Sequence, residues 1–379
     1  MEFHLNINKA LGRKPFLIIY MLALSFPFFG QQVGITENAR QFLKKSDVFY
    51  QKQLYDSAHY YADANYRAIE NALNDTLLLS ALIQLIRTSH NLPFDQQEAY
   101  YDKAEEMATA MGQKTQLIEL AKTMGDLFYD KQNFVNAIPY YLKVDSLSKS
   151  TGIKNSVTIG AMLNRAEISK LSFTRETTNM AHSLLYEALG LAKQIKAVES
   201  EHLAYIQLSD INQMIRDFPE AKKYIDLALP YFEMRDNEKR VSRLNLIKAA
   251  YYVGVDSLDK AEQTHLNNMS YLSKRENTLE QANAAYYYGN FLRRKKNAHA
   301  EAITPLEAAK ELFQKANKDS IELYHRTLRD LAFCNQQIGN YKEASTYYQE
   351  AVFKRELSKV FENRELRNQI SRELAVEKQ

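Results

Sequence analysis

The side chains of this chain that could do covalent or acid–base chemistry do not gather into a catalytic signature. The eight His are scattered one at a time, and no HExxH pair is present to hold a catalytic zinc. There is no Walker-type phosphate loop, no GxGxxG and no GxSxG nucleophile elbow. Cys334 is the single cysteine and reads as a small packed residue rather than a reactive thiol. One thiol also excludes an intramolecular disulfide and any zinc site built on two or more thiolates. No catalytic residue, metal ligand or cofactor is therefore expected. A binding chemistry is present instead. Arg293, Arg294, Arg326 and Arg329 share the last third of the chain with Asn283, Asn290, Tyr286 and Phe333. Guanidinium groups clamp carboxylates bidentately, amides bond a ligand backbone and aromatic rings anchor apolar side chains, which suits an extended peptide. The plainer alternative is that Arg293 to Lys296 form the solvated end of a helix.

Such residues need elements to hold them, and composition says which. Only 11 Gly and 7 Pro occur in 379 residues, well below the roughly 7% and 5% of average chains, so turn-rich sandwiches and barrels are disfavoured. With 45% hydrophobic and 25% charged residues, 25 Tyr and 18 Phe, the chain can bury a large core and is not a disordered polymer. An all-α protein remains. Its 49 basic and 46 acidic residues leave a net charge of +3, too small to imply nucleic acid as a direct partner. At the amino terminus, Lys9, Arg13 and Lys14 precede a mostly apolar run from Phe16 to Phe29. That is the pattern of a signal peptide over residues 1–30, and the run is shorter than the roughly 20 residues of a membrane span. Export to a periplasmic or envelope location is expected; an uncleaved anchor is the alternative and the only membrane contact foreseen.

Beyond residue 36 the sequence repeats. An aromatic or large apolar residue is followed at offsets of 3, 4 and 3 by Ala, a large apolar residue and a small one: Phe134, Ala137, Tyr141, Val144; Phe218, Ala221, Ile225, Ala228; Tyr341, Ala344, Tyr348, Ala351. These offsets set the four side chains on one helical stripe. Taking the Ala as phase marker, the copies fall at 58, 97, 137, 181, 221, 261, 302 and 344, separated by 39 to 44 residues. Gln97 marks a degenerate copy, and His265 stands where other copies carry Tyr or Leu, which makes it a packing residue first. A second helical stretch precedes each marker, with a small residue such as Gly125 that lets two helices approach closely.

This resembles the tetratricopeptide repeat, most clearly at Met124-Gly125, Phe128, Phe134, Ala137 and Tyr141, and at Leu331-Ala332, Gly339, Tyr341, Ala344, Tyr348 and Ala351. The resemblance covers residues 37–356; it lacks Trp, and its period is near 40 rather than 34. It implies a right-handed α-solenoid of about eight helix hairpins, because one hairpin cannot bury its apolar face alone. It also implies that the first helix of each hairpin lines a concave groove. The positions it would turn inward are Glu119, Lys122, Asp126, Tyr129 and Asp130; Leu203, Ile206, Asp210, Gln213 and Met214; Asn283, Tyr286, Asn290, Arg293 and Arg294; and Arg326, Arg329, Phe333, Gln336 and Gln337. The family's carboxylate clamp needs Lys and Asn four residues apart, and Lys122 is followed by Asp126, so that role is not implied. Residues 357–379 carry a loose apolar stripe through Leu357, Phe361, Leu366, Ile370 and Leu374, consistent with an amphipathic helix that caps the array or supports oligomers as a coiled coil. Together these features resemble the sensory part of bacterial envelope regulators. The expected function is a non-catalytic exported scaffold that binds a peptide or protein segment; the alternative is the sensor module, truncated here, of a signalling regulator or histidine kinase.

Overall fold

The computed structural model describes residues 37–52, 54–70, 74–171, 174–318 and 321–358. The signal sequence expected over residues 1–30 and, past residue 358, the helix expected over 357–379 lie outside the described residues. Among those described, every regular element is a helix, and none is long and apolar enough to cross a membrane. The chain divides into two compact units, one up to Ile153 and one from Lys154. The first holds α1 (37–51), α2 (Tyr55–Ile69), α3 (Asp75–Thr88), α4 (Phe94–Ala110), α5 (Lys114–Asp130) and α6 (Phe134–Thr151). In the second are α7 (Ser156–Lys170), α8 (Arg175–Gln194), α9 (Val198–Met214), α10 (Phe218–Met234), α11 (Glu238–Gly254), α12 (Leu258–Ser273), α13 (Thr278–Lys295), α14 (His299–Lys315), α15 (Glu322–Gln337) and α16 (Tyr341–Ser358).

Each odd-numbered helix pairs with the even-numbered one after it, and the hairpins stack in chain order within each unit. All eight phase markers fall on the second helix of a hairpin. Ala58, Ala137, Ala181, Ala221, Ala261 and Ala302 are completely buried, and Ala344 nearly so. Ala serves there because the backbones of neighbouring helices leave room for one methyl group. The degenerate copy has a physical reason: Gln97 is buried too, and its amide donates to the carbonyls of Ser89 and Leu92 at 2.6 and 3.0 Å, holding the preceding turn.

The small residues ahead of the markers work as spacing devices. A Cβ on Gly125 would come within 2.8 Å of the Tyr141 ring, and one on Gly289 within 2.6 Å of Leu306 Cγ. Turns are built to one recipe. Residues just past a helix end, such as Gln132, Arg216, Asp256 and Asn297, adopt positive φ, the left-handed closure that ends a helix. After α9, the Arg216 N–H donates to the Gln213 carbonyl at 3.0 Å and the Asp217 N–H to that of Asn212 at 2.7 Å. Asp217 then caps α10 by accepting the Glu220 N–H at 3.2 Å; Asn237 and Asn277 cap α11 and α13 in the same way. Short turns of this kind keep consecutive helices antiparallel and the repeat period constant.

Candidate ligand-binding groove

In the second unit the first helices of successive hairpins, α7, α9, α11, α13 and α15, approach one another directly, while no two even-numbered helices do so comparably among the described residues. The odd-numbered helices therefore form the inner side of this unit. They enclose a concavity of about 640 Å³. Its lining from α11 includes Arg243, Leu246, Ala250 and Val253; α13 adds Asn283, Tyr287, Asn290 and Phe291, and α15 adds Leu323. Glu167 and Asp210 close one end, Lys239, Arg240 and Lys295 stand among the lining residues, and His265 reaches in from α12. The lining thus combines apolar side chains with charges of both signs.

The charges at one end are interlocked. Lys170, buried, places its ammonium 2.6 Å from Asp210 and 3.2 Å from Glu167. Arg243 donates through one guanidinium nitrogen to both Glu167 oxygens, at 3.0 and 3.1 Å. Burial pushes the Glu167 carboxyl up, but Lys170 and Arg243 outweigh it and hold the group at about 2. For Lys170, burial works against the charge and the two carboxylates prevail, so its ammonium is held above the usual range. Glu280 goes the other way: burial raises it against the pull of Lys239 and of hydrogen bonds to Asn283 and Ser242. Burial keeps the His265 imidazole neutral, lowering it to about 4, with Glu262 opposing.

Two of the eight residues singled out from sequence, Asn283 and Asn290, line this concavity; the others lie elsewhere. Tyr286 is packed in the core of α13 to α16, its hydroxyl pushed up to about 12 by burial and by Asp330. Arg293 is engaged with Asp330 at 3.1 Å and lies over the Phe333 ring, 5.3 Å from its centroid. Phe333 also meets His299 edge-on at 5.5 Å. Arg326 pairs with Glu322 on its own helix at 2.9 Å, and Arg294 and Arg329 are exposed. The four Arg thus do not converge on one point: one bridges helices, one is tied along its helix and two face solvent.

Of the α9 set, Asp210 lines the groove, Ile206 is core, and Gln213 donates to the Ile247 carbonyl at 3.0 Å. On α5, Asp126 accepts from Lys122 and, at 2.9 Å, from the Tyr141 hydroxyl. Asp130 meets His90 at 3.3 Å. Cys334 is fully buried, and burial pushes its thiol up to about 11. Sequence reasoning missed Glu167, Lys239, Arg243 and Tyr287. The signal was available for α11, because adding the 40-residue period to Leu203, Ile206 and Asp210 reaches Arg243, Leu246 and Ala250. Nothing in the sequence marked Glu167, whose partner Arg243 lies 76 residues away.

Residues 280–352, which span α13 to α16, match the family model described as Tetratricopeptide repeat. Several solved structures share the fold. A signal transduction ATPase with numerous domains from Pyrococcus horikoshii, which has a tetratricopeptide repeat sensor, aligns over 79% of this chain at 17% identity and a TM-score of 0.56. This chain spans 47% of that protein, about half its length. Aspartyl phosphate phosphatase F from Bacillus subtilis aligns over 87% of this chain and 95% of its own, at 13% identity and a TM-score of 0.53. NprR in complex with its cognate peptide NprX aligns over 90% of this chain and 83% of its own, at 14% identity and a TM-score of 0.52. No curated protein matches the chain.

Proposed function

We propose that the second unit, whose residues 280–352 match the tetratricopeptide repeat model and whose fold such proteins share, is a non-catalytic scaffold holding an extended peptide or protein segment in the groove of α7 to α15. The observation that carries the reading is the concavity itself, whose lining combines apolar side chains, the unpartnered Asn283 oxygen and charged groups, Lys239, Arg240 and Lys295 among them. Those are the features an extended segment needs for anchoring, backbone bonding and orientation. NprR, of similar fold, was solved with its cognate peptide, which supports the same kind of partner here. Export belongs to the same proposal and rests on the basic flank and apolar run of residues 1–30.

One experiment tests both parts. The full chain, tagged at its carboxy terminus, is recovered from the cell that makes it, and mass spectrometry reads its amino terminus and the segments captured with it. We expect a mature end close to residue 31. Capture should fall at least about tenfold when Tyr287→Ala is combined with Lys239→Glu, two exposed positions on the groove. Unchanged capture by that variant would remove the groove from the proposal, and an intact Met1 would remove the cleaved signal.

A further inference from the structure

Every fortieth residue from Lys170 falls on an odd-numbered helix of the second unit: Lys170, Asp210, Ala250, Asn290, Asp330. At both ends of this series the side chains bridge consecutive inner helices, Lys170 to Asp210 at 2.6 Å and Asn290 to Asp330 at 2.7 Å. In the middle, between two bridged pairs, α11 presents the methyl of Ala250, which is exposed and has no polar atom with which to close the seam. The concavity that Ala250 lines also reaches α12, where His265 lines it. The equivalent residues of the flanking second helices are Leu185, Ile225 and Leu306, each buried and apolar. His265 is 7% exposed, and its Nδ1 has no hydrogen-bond partner. Phe291 and Tyr288 lie beside the ring, with centroids 5.2 and 6.0 Å away. An unpartnered buried nitrogen in a position where neighbouring repeats use aliphatic side chains is a cost to stability without a structural return. On the groove side, Asn283 Oδ1 is likewise buried without a partner.

We infer that the break at Ala250 is an anchor notch for a tyrosine side chain of the bound segment, with the phenol hydroxyl donating to His265 and a neighbouring ligand carboxylate held by Lys239 and Lys295. The chemistry selects this occupant. Leu246, Val253 and Phe291 line the notch with apolar surface, so the inserted group must be apolar along its length and end in a single hydrogen-bonding atom. Carrying an ammonium or a carboxylate into this apolar lining costs its hydration, so a charged end group stays outside the notch. The orphan Asn283 oxygen accepts an N–H from the ligand backbone. This deepens the groove reading above and rests on it.

The test is selection of a random displayed-peptide library on the full-length protein, followed by titration of the enriched peptides. Enriched sequences are expected to share a Tyr with Asp or Glu within two positions. Changing that Tyr to Phe should weaken binding about tenfold, and the penalty should vanish in His265→Leu, a variant that installs the residue found at 185 and 306 and therefore keeps the fold. Ala250→Leu, at an exposed site, should abolish the preference for Tyr by filling the notch. If Tyr→Phe costs the same on both proteins, or the enriched peptides lack an aromatic residue yet are lost with Tyr287→Ala plus Lys239→Glu, the notch falls and the groove reading stands. If no peptide is enriched, or the enriched peptides ignore that groove variant, both readings fall.

Discussion

Glu167 shows how this protein stabilises charge inside a stack of helices. It accepts from Arg243 on a helix two hairpins later and sits 3.2 Å from Lys170 on its own helix, so one carboxylate ties α7 to α11. Its folded pKa of about 2 lies below the ordinary value near 4.3. The ionised form is therefore favoured by folding. That contribution is present in full above about pH 5 and is lost as pH falls towards 2. Glu167→Gln should lower stability at neutral pH by about 3 kcal/mol, because it leaves Arg243 and Lys170 short of a counter-charge. It should also flatten the acid limb of a stability-versus-pH curve measured by urea unfolding; an unchanged acid limb would show that Glu167 is not the group titrating there.

At the scale of elements, the hairpin is held by the fit of an absent side chain against a present one. Gly289 of α13 faces Leu306 of α14, with the Ala302 carbonyl oxygen 3.2 Å from where a Cβ would lie. The leucine is completely buried and the carbonyl belongs to a helix backbone, so neither yields easily. Gly289→Ala is an improvement in helix propensity of about 1 kcal/mol for an exposed helix. Here it should destabilise by roughly 1–3 kcal/mol, since a clash in a packed seam outweighs propensity. Thermal melting of the variant decides between the two: a raised Tm would mean that the helices separate without cost. The same logic explains why Gly125 faces the Tyr141 ring although the two hairpins differ in almost every other residue.

For the whole molecule, the consequence of stacking is that stability is local. Each hairpin of the second unit is packed chiefly against its neighbours in the chain, so perturbations should decay within about one repeat, as in a one-dimensional array. Hydrogen exchange on Gly289→Ala is expected to show faster exchange in α13 to α15 and native protection in α7 and α8. Uniform loss across the second unit would mean that it opens only as one cooperative block. Local stability also bears on binding. A segment lying along α7 to α15 would contact several hairpins at once and add to the coupling that bridges such as Glu167–Arg243 already supply.

The all-α class, the number of hairpins and the placement of every phase marker were legible in the residues, because a 3-4-3 spacing can bury one stripe only on a helix, and a 40-residue recurrence can satisfy it only by stacking. Cys334 as a packed thiol was legible for the same reason. The groove was legible in part: Asn283, Asn290 and Asp210 follow from the inward positions of a repeat helix, whereas Tyr286 occupies an inward position yet is sealed into the core by α15. What only the tertiary structure decided was pairing between side chains far apart in the chain. Arg293 is engaged with Asp330 rather than open to a ligand, Arg243 with Glu167, and His265 of α12 lines the same concavity as Ala250 of α11. Periodicity specifies which face of a helix turns inward; whether an inward charge meets a partner depends on the distance between helices, which is set by the packing of all the hairpins together.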